Sequence, residues 1–512
     1  MMDRPKTRIY MLYFFPLLSG ALLFLSFPEK DFYLLAWIAL APLLIALYGA
    51  KKKEAFIAGL LTGIVYFFGT AYWIYHSLYR YGSIPLIPSI LIVFLLCLYL
   101  SLYPALFSFI YSALIKKTTL PVLFIAPVLW TTLEFLRSYA LTGFPWSSLG
   151  YSQYNFLHFI QIADVTGIYG ISFLLVAFNG AIADLFLLKK KKMQQPLYSF
   201  LPTVTGFALL FIVLIATFSY GFYRLHQNRQ GHNLRIGIVQ GNIEQDKKWD
   251  IAYQQAVIDV YKELSTAASQ HKPDMIVWPE TSVPFVFGRD RTLTENLVSF
   301  QRQIDSYLLF GSILLKDNQK SLYSNGAVLL DKDGKVSYIY DKIHLVPFGE
   351  YVPLRNILFF VDKLTYGIGD YVPGDGYIKA VTPFGSFGTL ICYEIIFPGL
   401  VRKFYIRGGD FIVTITNDAW FGDTSGPYQH FDMAVFRAIE NRKPVVRAAN
   451  SGISGFIDSN GRILDKTQLF KRGVLFKEIK TDRTMTVYTK YGDLFSYLCI
   501  ILFMLLIIKI RK

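Results

Sequence analysis

Cysteine is nearly absent from this 512-residue chain: there are three, at Cys97, Cys392 and Cys499, in no paired or metal-ligand spacing. That excludes a disulfide framework and a zinc site of the usual kind. No glycine-rich phosphate loop and no dinucleotide fingerprint occurs, so no nucleotide cofactor, and no cofactor of any other kind, is expected. Charge is also sparse, at 17% of residues, and acidic residues are outnumbered 36 to 51, which leaves a formal charge of +15. An excess of that size suggests nucleic acid until its location along the chain is known. What the chain has in quantity is apolar surface. At 53% hydrophobic residues and a mean hydropathy of +0.38, it is too apolar for a purely soluble protein.

Apolar segments long enough to cross a hydrocarbon core of ~30 Å, about 20 residues each, recur near 10–27, 33–49, 55–75, 85–115, 119–136, 160–188 and 198–221, and again at 494–508. This predicts about eight spans, with Pro88 and Pro104 as possible division points in the fourth. The basic residues alternate between the connecting segments. Arg4, Lys6 and Arg8, Lys51 to Lys53, Lys116 and Lys117, Lys189 to Lys192, and Lys509, Arg511 and Lys512 put fifteen on one side, against Lys30, Arg80 and Arg137 on the other. The asymmetry predicts both termini in the cytoplasm and the large polar region 224–490 on the opposite face. The remaining basic residues balance the acidic ones, so the charge excess records topology and no nucleic-acid partner is expected. Phe27-Pro28-Glu29 lacks a small-residue cleavage pattern, so the first span reads as a retained helix.

Within the spans, Glu134, Arg137, Asp164 and Asp184 stand near predicted ends, where side chains reach the interface, and they are given no role. The loop 138–159, with Phe144-Pro145-Trp146, Tyr151, Tyr154 and Phe156, reads as an aromatic belt. The expected organisation is therefore a membrane domain over 1–223 with seven helices, a soluble domain over 224–490, and a final helix with a basic tail over 491–512.

The pattern changes after a polar linker at Arg224 to Asn233. Strands are predicted at 234–240, 275–278, 308–313, 411–416 and 445–448, with helical spacing over 252–270. A hairpin is predicted where 327–330 and 336–340 flank Asp331-Lys332-Asp333-Gly334. This alternation predicts a layered α/β domain that carries its function on loops at strand ends.

Three such loops hold reactive groups. Glu280 follows Trp278-Pro279, Lys342 follows Tyr340-Asp341, and Cys392 ends the apolar run Leu390-Ile391. Singly, each has an ordinary role: a helix-start charge, a surface lysine, a small core thiol. Together they form a nucleophile set. A thiolate attacks, a carboxylate takes its proton, and an ammonium favours the ionised sulfur and stabilises an oxyanion. The N–H of Tyr393, just after the nucleophile, is a second oxyanion donor.

The motifs Trp278-Pro279-Glu280, Asp341-Lys342-Ile343-His344-Leu345-Val346-Pro347-Phe348-Gly349-Glu350 and Ile391-Cys392-Tyr393-Glu394 resemble the Glu-Lys-Cys triad of the nitrilase superfamily. With seven spans before the domain and one after, the whole chain resembles the bacterial apolipoprotein N-acyltransferase family. Gln240-Gly241-Asn242 with Lys248-Trp249-Asp250, and Thr416-Asn417-Asp418-Ala419-Trp420-Phe421, extend the likeness. The resemblance implies an αββα sandwich with Glu280 as base, Lys342 as transition-state stabiliser and Cys392 as nucleophile. Glu350 is implied either to orient Lys342 or to assist proton transfer, with Tyr393, Glu394, Trp249 and Trp420 lining the site.

It also implies an acyl donor phospholipid, usually phosphatidylethanolamine, a thioester on the cysteine, and transfer to the α-amino group of an S-diacylglyceryl-cysteine on an apolipoprotein. The setting would be the bacterial inner membrane, with the catalytic domain periplasmic and the enzyme a monomer. The apolar insertion 351–373, including Ile357-Leu358-Phe359-Phe360-Val361, reads either as an interfacial lid or as ordinary core packing. Two rivals stand beside this expectation. A membrane-anchored carbon–nitrogen hydrolase acting on a small amide or nitrile would use the same triad. A polytopic transporter or receptor would explain the spans and leave the three strand-end residues without a role.

Overall fold

A computed structural model describes residues 5–194, 200–228, 231–248, 250–319, 322–351 and 370–511. The chain divides into two compact units, one of 1–75, 85–226 and 491–512, the other of 76–84 and 227–490.

The first unit is helical: Pro5–Leu25, Lys52–Ala71, Leu86–Leu114, Val122–Arg137, Ile168–Gln194, Phe200–His226 and Leu494–Arg511. Among the described residues, four helices are both long and apolar enough to cross a membrane, at 52–71, 86–114, 168–188 and 202–226. The protein is thus an integral membrane protein by its apolar helices. Leu86–Leu114 runs unbroken through Pro104.

The expected span at 33–49 is not one helix. A 3-10 turn at Tyr33–Trp37 leads to Ala41–Ala46, about 9 Å of α-helix. The break is fixed by side chains that satisfy the backbone where the short helix starts: Asn179 Oδ1 accepts from the N–H of Leu40 (2.8 Å) and of Ala41 (2.9 Å), and Ser19 Oγ from that of Leu43 (2.9 Å).

The charges expected to reach an interface are instead buried against protein. Glu134 accepts from the N–H of Leu149 at 2.7 Å, Arg137 donates to the Trp146 carbonyl at 2.7 Å, and Asp184 accepts from the N–H of Leu123 at 3.0 Å. Asp164 pairs with Arg224 at 2.6 Å. Apolar groups cannot satisfy a buried charge, and each of these has found a polar partner.

The second unit carries fourteen strands in two sheets, among the described residues. The first sheet holds β1 (Asn233–Gln240), β2 (Met275–Val277), β3 (Val283–Val286), β4 (Tyr307–Asp317), β5 (Leu322–Leu330), β6 (Val336–Asp341), β7 (Asp370–Tyr371) and, at the chain's return, β14 (Gly473–Lys480). The second holds β8 (Lys379–Thr382), β9 (Gly385–Ile391), β10 (Phe411–Thr416), β11 (Val445–Ala449), β12 (Gly455–Ile457) and β13 (Ile463–Lys466). Strand order is β14-β1-β2-β4-β5-β6 in one and β13-β12-β11-β10-β9-β8 in the other.

The centres β1-β2-β4 and β9-β10-β11 are parallel. Every residue of β10 and β11 is buried, as continuous apolar strands covered on both faces require. The sheets face each other, β1 against β11 and β5 against β9. Helix Gln254–Ser269 covers the first sheet, and helices Pro398–Tyr405 and Ser425–Asn441 cover the second. The result is an αββα sandwich in which β1, β2, β9, β10 and β11 deliver their carboxyl ends to one place.

Candidate active site

Glu280 is set by what flanks it. Trp278 is fully buried, stacks on Tyr261 with centroids 5.0 Å apart, and donates its indole N–H to Ser265 at 2.7 Å. Beyond Pro279 the chain turns through Thr281 at φ 46°. A Cβ at Gly311 on β4 would lie 2.4 Å from the Thr281 nitrogen and 2.7 Å from Glu280 Cα, so only glycine lets the strand pass beneath the loop. The Glu280 carboxylate is 6% exposed. Its Oε1 accepts from Asn325 Nδ2 at 2.7 Å and its Oε2 from the N–H of Asn417 at 2.9 Å. Lys248, also buried, donates from Nζ to the Glu280 main-chain carbonyl at 2.9 Å. Burial pulls the Lys248 ammonium down to about 7, against the charges of Glu280 and Cys392.

Lys342 leaves β6 with its N–H donating to the Asn325 carbonyl at 2.8 Å. Its buried ammonium lies 2.9 Å from Glu350 and 3.8 Å from Glu280 Oε1. Burial favours the neutral amine, but Glu350 and Glu280 together outweigh it and hold the group charged. The excursion that follows is closed at its base, where Tyr351 bridges Pro347, β7 pairs with Leu322 and Tyr323 of β5, and the Gly374 N–H donates to the Lys342 carbonyl at 2.9 Å.

Cys392 turns off β9 at φ 52°, a left-handed conformation that a non-glycine side chain disfavours by roughly 1–3 kcal/mol and that is concentrated at functional sites. Two devices hold it there. Glu394 accepts from the N–H of Ile391 (2.7 Å) on one oxygen, and on the other from the N–H groups of Ile343 (2.7 Å) and His344 (3.1 Å) and the hydroxyl of Tyr340 (2.8 Å). It thereby joins the nucleophile's strand to the loop of Lys342, while burial pushes its own pKa up to about 7. Behind it, His430 Nε2 lies 3.2 Å from the Cys392 carbonyl, and Asp418 and Arg447 each lie 3.0 Å from His430 Nδ1.

The buried thiol lies in the fields of Glu280 and Lys342. Burial, with Glu280, raises its pKa well above the ordinary thiol value, and Lys342 offsets only part of that. The ammonium therefore offsets burial only in part, which leaves a role for a base that takes the thiol proton.

The structure thus gathers Glu280, Lys342, Glu350 and Cys392 into one buried cluster, with Glu394 bracing it and Tyr393 beside the nucleophile. Trp420 is 38% exposed. Its carbonyl accepts from the Ser77 hydroxyl at 2.6 Å, and its ring meets Tyr81 edge-on at 4.9 Å. Trp249 and residues 352–369 of the apolar insertion lie outside the described residues. Sequence reasoning gave no role to Asn325, Asn417, Lys248, Asp418, His430 or Arg447. Three of them, Lys248, Asn417 and Asp418, stood inside the quoted motifs, and that was the only signal. No group of three or more His, Cys, Asp or Glu side chains is arranged to hold a metal ion among the described residues.

A strand-end cysteine, lysine and glutamate on facing sheets of an αββα sandwich define a carbon–nitrogen hydrolase domain, and the Carbon-nitrogen hydrolase model matches residues 235–488. The Apolipoprotein N-acyltransferase N-terminal domain model matches residues 19–181. An apolipoprotein N-acyltransferase of Geobacter metallireducens is 41% identical over 490 residues, covering 95% of this chain and 93% of that protein. One of Pasteurella multocida is 32% identical over 513 residues, covering 97% and 94%. An amidase from Nesterenkonia sp. is similar in structure at 20% identity and a TM-score of 0.39, covering 50% of this chain and 93% of that one. The chain belongs to the apolipoprotein N-acyltransferase family and is an acyltransferase.

Proposed function

We propose that the enzyme transfers an acyl chain in two half-reactions through a thioester on Cys392. The observation that carries this reading is the buried juxtaposition of Cys392, Lys342 and Glu280 in a unit that shares its chain with apolar helices. In the first half-reaction Glu280 takes the thiol proton and the sulfur attacks an ester carbonyl of a phospholipid, phosphatidylethanolamine by preference. The carbon–sulfur bond forms, the carbon–oxygen bond breaks, and Glu280 returns the proton to the leaving alkoxide, releasing a lysophospholipid. Lys342, oriented by Glu350, and the N–H of Tyr393 meet the oxyanion.

In the second half-reaction the α-amino group of a diacylglyceryl-cysteine at an apolipoprotein's amino terminus attacks the thioester. Glu280 takes the amine's proton and passes it to the departing sulfur. A thioester suits this division because amines attack it readily, provided water is kept away. Trp249 and Trp420 bind the substrates. The chain crosses the inner membrane about eight times, with both termini in the cytoplasm and the catalytic unit periplasmic, and acts as a monomer.

Incubation with phospholipid carrying a radiolabelled acyl chain tests the reading. The wild-type enzyme is expected to hold a hydroxylamine-labile label that Cys392→Ser lacks, and to pass it to a diacylglyceryl peptide. Label retained by the Cys392→Ser enzyme, or release of free fatty acid with no acylated peptide, would overturn it.

A further inference from the structure

The polar contacts around Lys342 converge on one residue that sequence reasoning passed over. Asn325, on β5, is 5% exposed. Its side-chain amide has two N–H bonds and both are committed, one to Glu280 Oε1 at 2.7 Å and one to Glu350 Oε1 at 2.9 Å. Its main-chain carbonyl accepts from the N–H of Lys342 at 2.8 Å. Facing two carboxylates, the amide has only one sensible orientation, because its oxygen would be repelled by both. Its Oδ1 is correspondingly buried without a hydrogen-bond partner among the described residues. The local structure thus leaves an acceptor orphaned in order to keep both donors on the glutamates.

The distances show what this arrangement achieves. The Lys342 ammonium sits at 2.9 Å from Glu350 but at 3.8 Å from Glu280 Oε1, the oxygen that Asn325 occupies at 2.7 Å. An ammonium between two carboxylates that nothing else restrained would bond directly to both. Here one carboxylate has the direct ion pair and the other has a neutral donor in its place. An ion-paired carboxylate is a poor proton acceptor, since a close cation stabilises its anion, whereas a neutral amide does so less.

We infer that Asn325 is a positioning residue that divides the labour of the two glutamates. It holds Glu280 out of direct contact with Lys342, so that Glu280 has no direct ion pair to give up when it takes a proton, and it leaves Glu350 as the lysine's anchor. This rests on the proposed role of Glu280 as the base, a role tested separately by Glu280→Gln.

The measurement is the single-turnover rate of acyl-enzyme formation by the full-length enzyme from fluorescently acylated phosphatidylethanolamine, followed from about pH 5 to about pH 9. Asn325→Leu removes both donors without adding charge. Lys342 then closes on Glu280, and the rate is expected to fall on the order of 10- to 100-fold, with its acid limb moved to lower pH. Asn325→Asp adds a like charge beside Glu280 and is expected to move the acid limb to higher pH. Opposite movements of the limb are the signature, since damage to the fold alone lowers the rate without moving the limb in opposite senses.

Glu350→Gln supplies a result that does not depend on Asn325 variants folding. Asn325 keeps its hold on Glu280, so the acid limb is expected to stay within about half a pH unit while the maximal rate falls. The inference is overturned if Asn325→Leu retains the wild-type rate and limb, if both Asn325 variants move the limb the same way, or if Glu350→Gln moves it as far as Asn325→Leu. Should Glu280→Gln form the acyl-enzyme at the wild-type rate, the role of Glu280 as base falls instead, whatever the Asn325 variants do.

Discussion

His430 stands behind Cys392, its Nε2 3.2 Å from the nucleophile's own carbonyl oxygen. Burial and the Arg447 guanidinium lower the imidazole's pKa, against the pull of Asp418 and the Cys392 carbonyl. Nε2 faces that carbonyl while Nδ1 faces Asp418 and Arg447, so the imidazole ties the nucleophile's backbone to a buried ion pair. The contact restrains a backbone at φ 52° whose strain would otherwise relax. His430→Ala should therefore slow acyl-enzyme formation and lower the unfolding free energy by about 1–3 kcal/mol, the usual effect of stranding a buried acceptor. His430→Gln, whose amide can donate from a similar place, should recover much of the rate. Stopped-flow acylation and thermal melting check the two separately.

Asp418 predicts a pH dependence of stability. Arg447 at 2.7 Å and His430 at 3.0 Å overcome burial and hold its carboxyl at about 2, below the unfolded value of 3.8. The unfolded chain therefore binds the proton first as pH falls. The stabilisation, about 2 kcal/mol by linkage, is complete above roughly pH 4 and lost on descent through about pH 2. Asp418→Asn should abolish that dependence, and by leaving Arg447 unpaired it should lower stability at neutral pH by roughly 3–5 kcal/mol. Urea unfolding at several pH values measures both.

Gly311→Ala tests how tightly the base is placed. The added methyl would lie 2.4 Å from the Thr281 nitrogen and 2.7 Å from Glu280 Cα, and main chain cannot swing aside as a flexible side chain can. A displacement of Glu280 on the order of 1 Å should reduce the acylation rate about 100-fold. Circular dichroism should remain close to that of the wild type. A rate within threefold of wild type would show that the loop yields freely.

Lys248→Met should separate stability from activity. An ammonium pulled down to about 7 by burial is costly to keep in the fold, and a methionine of similar length is not. Because the folded pKa lies below the unfolded value of 10.5, wild-type stability should rise with pH between about 7 and 10. The variant should lack that rise and be at least as stable at pH 7. Its acylation rate should nevertheless fall, since the Glu280 carbonyl loses its donor. Parallel melting curves and turnover measurements decide the point.

Much of this arrangement was legible before any coordinate. Met275–Val277 and Phe411–Thr416 are strands because short β-branched runs bounded by turn residues have few other ways to pack, and the three reactive groups lie just beyond strand ends as expected. The break within 33–49 was not legible because hydropathy counts residues along a line, whereas Asn179, more than a hundred residues away, supplies the acceptor at which the helix is interrupted. Glu134, Arg137, Asp164 and Asp184 were misjudged for the same reason, since their partners exist only once the helices pack. Asn325 was invisible in principle. An asparagine within Leu322–Leu330 has no pattern that announces two glutamates, one 45 residues before it and one 25 after.

Tyr351 and Asp370 are tied to the sandwich as the two sides of a neck: the Pro347–Tyr351 bridge on one side, the β7–β5 pairing on the other, and the Gly374–Lys342 hydrogen bond beside them. Whatever is spliced into that neck hangs from a frame that already fixes the amine and, through Glu394, the sulfur. The contacts that hold the amine and the sulfur thus all lie outside 352–369, and a change of length or sequence there leaves the reacting groups anchored where they are.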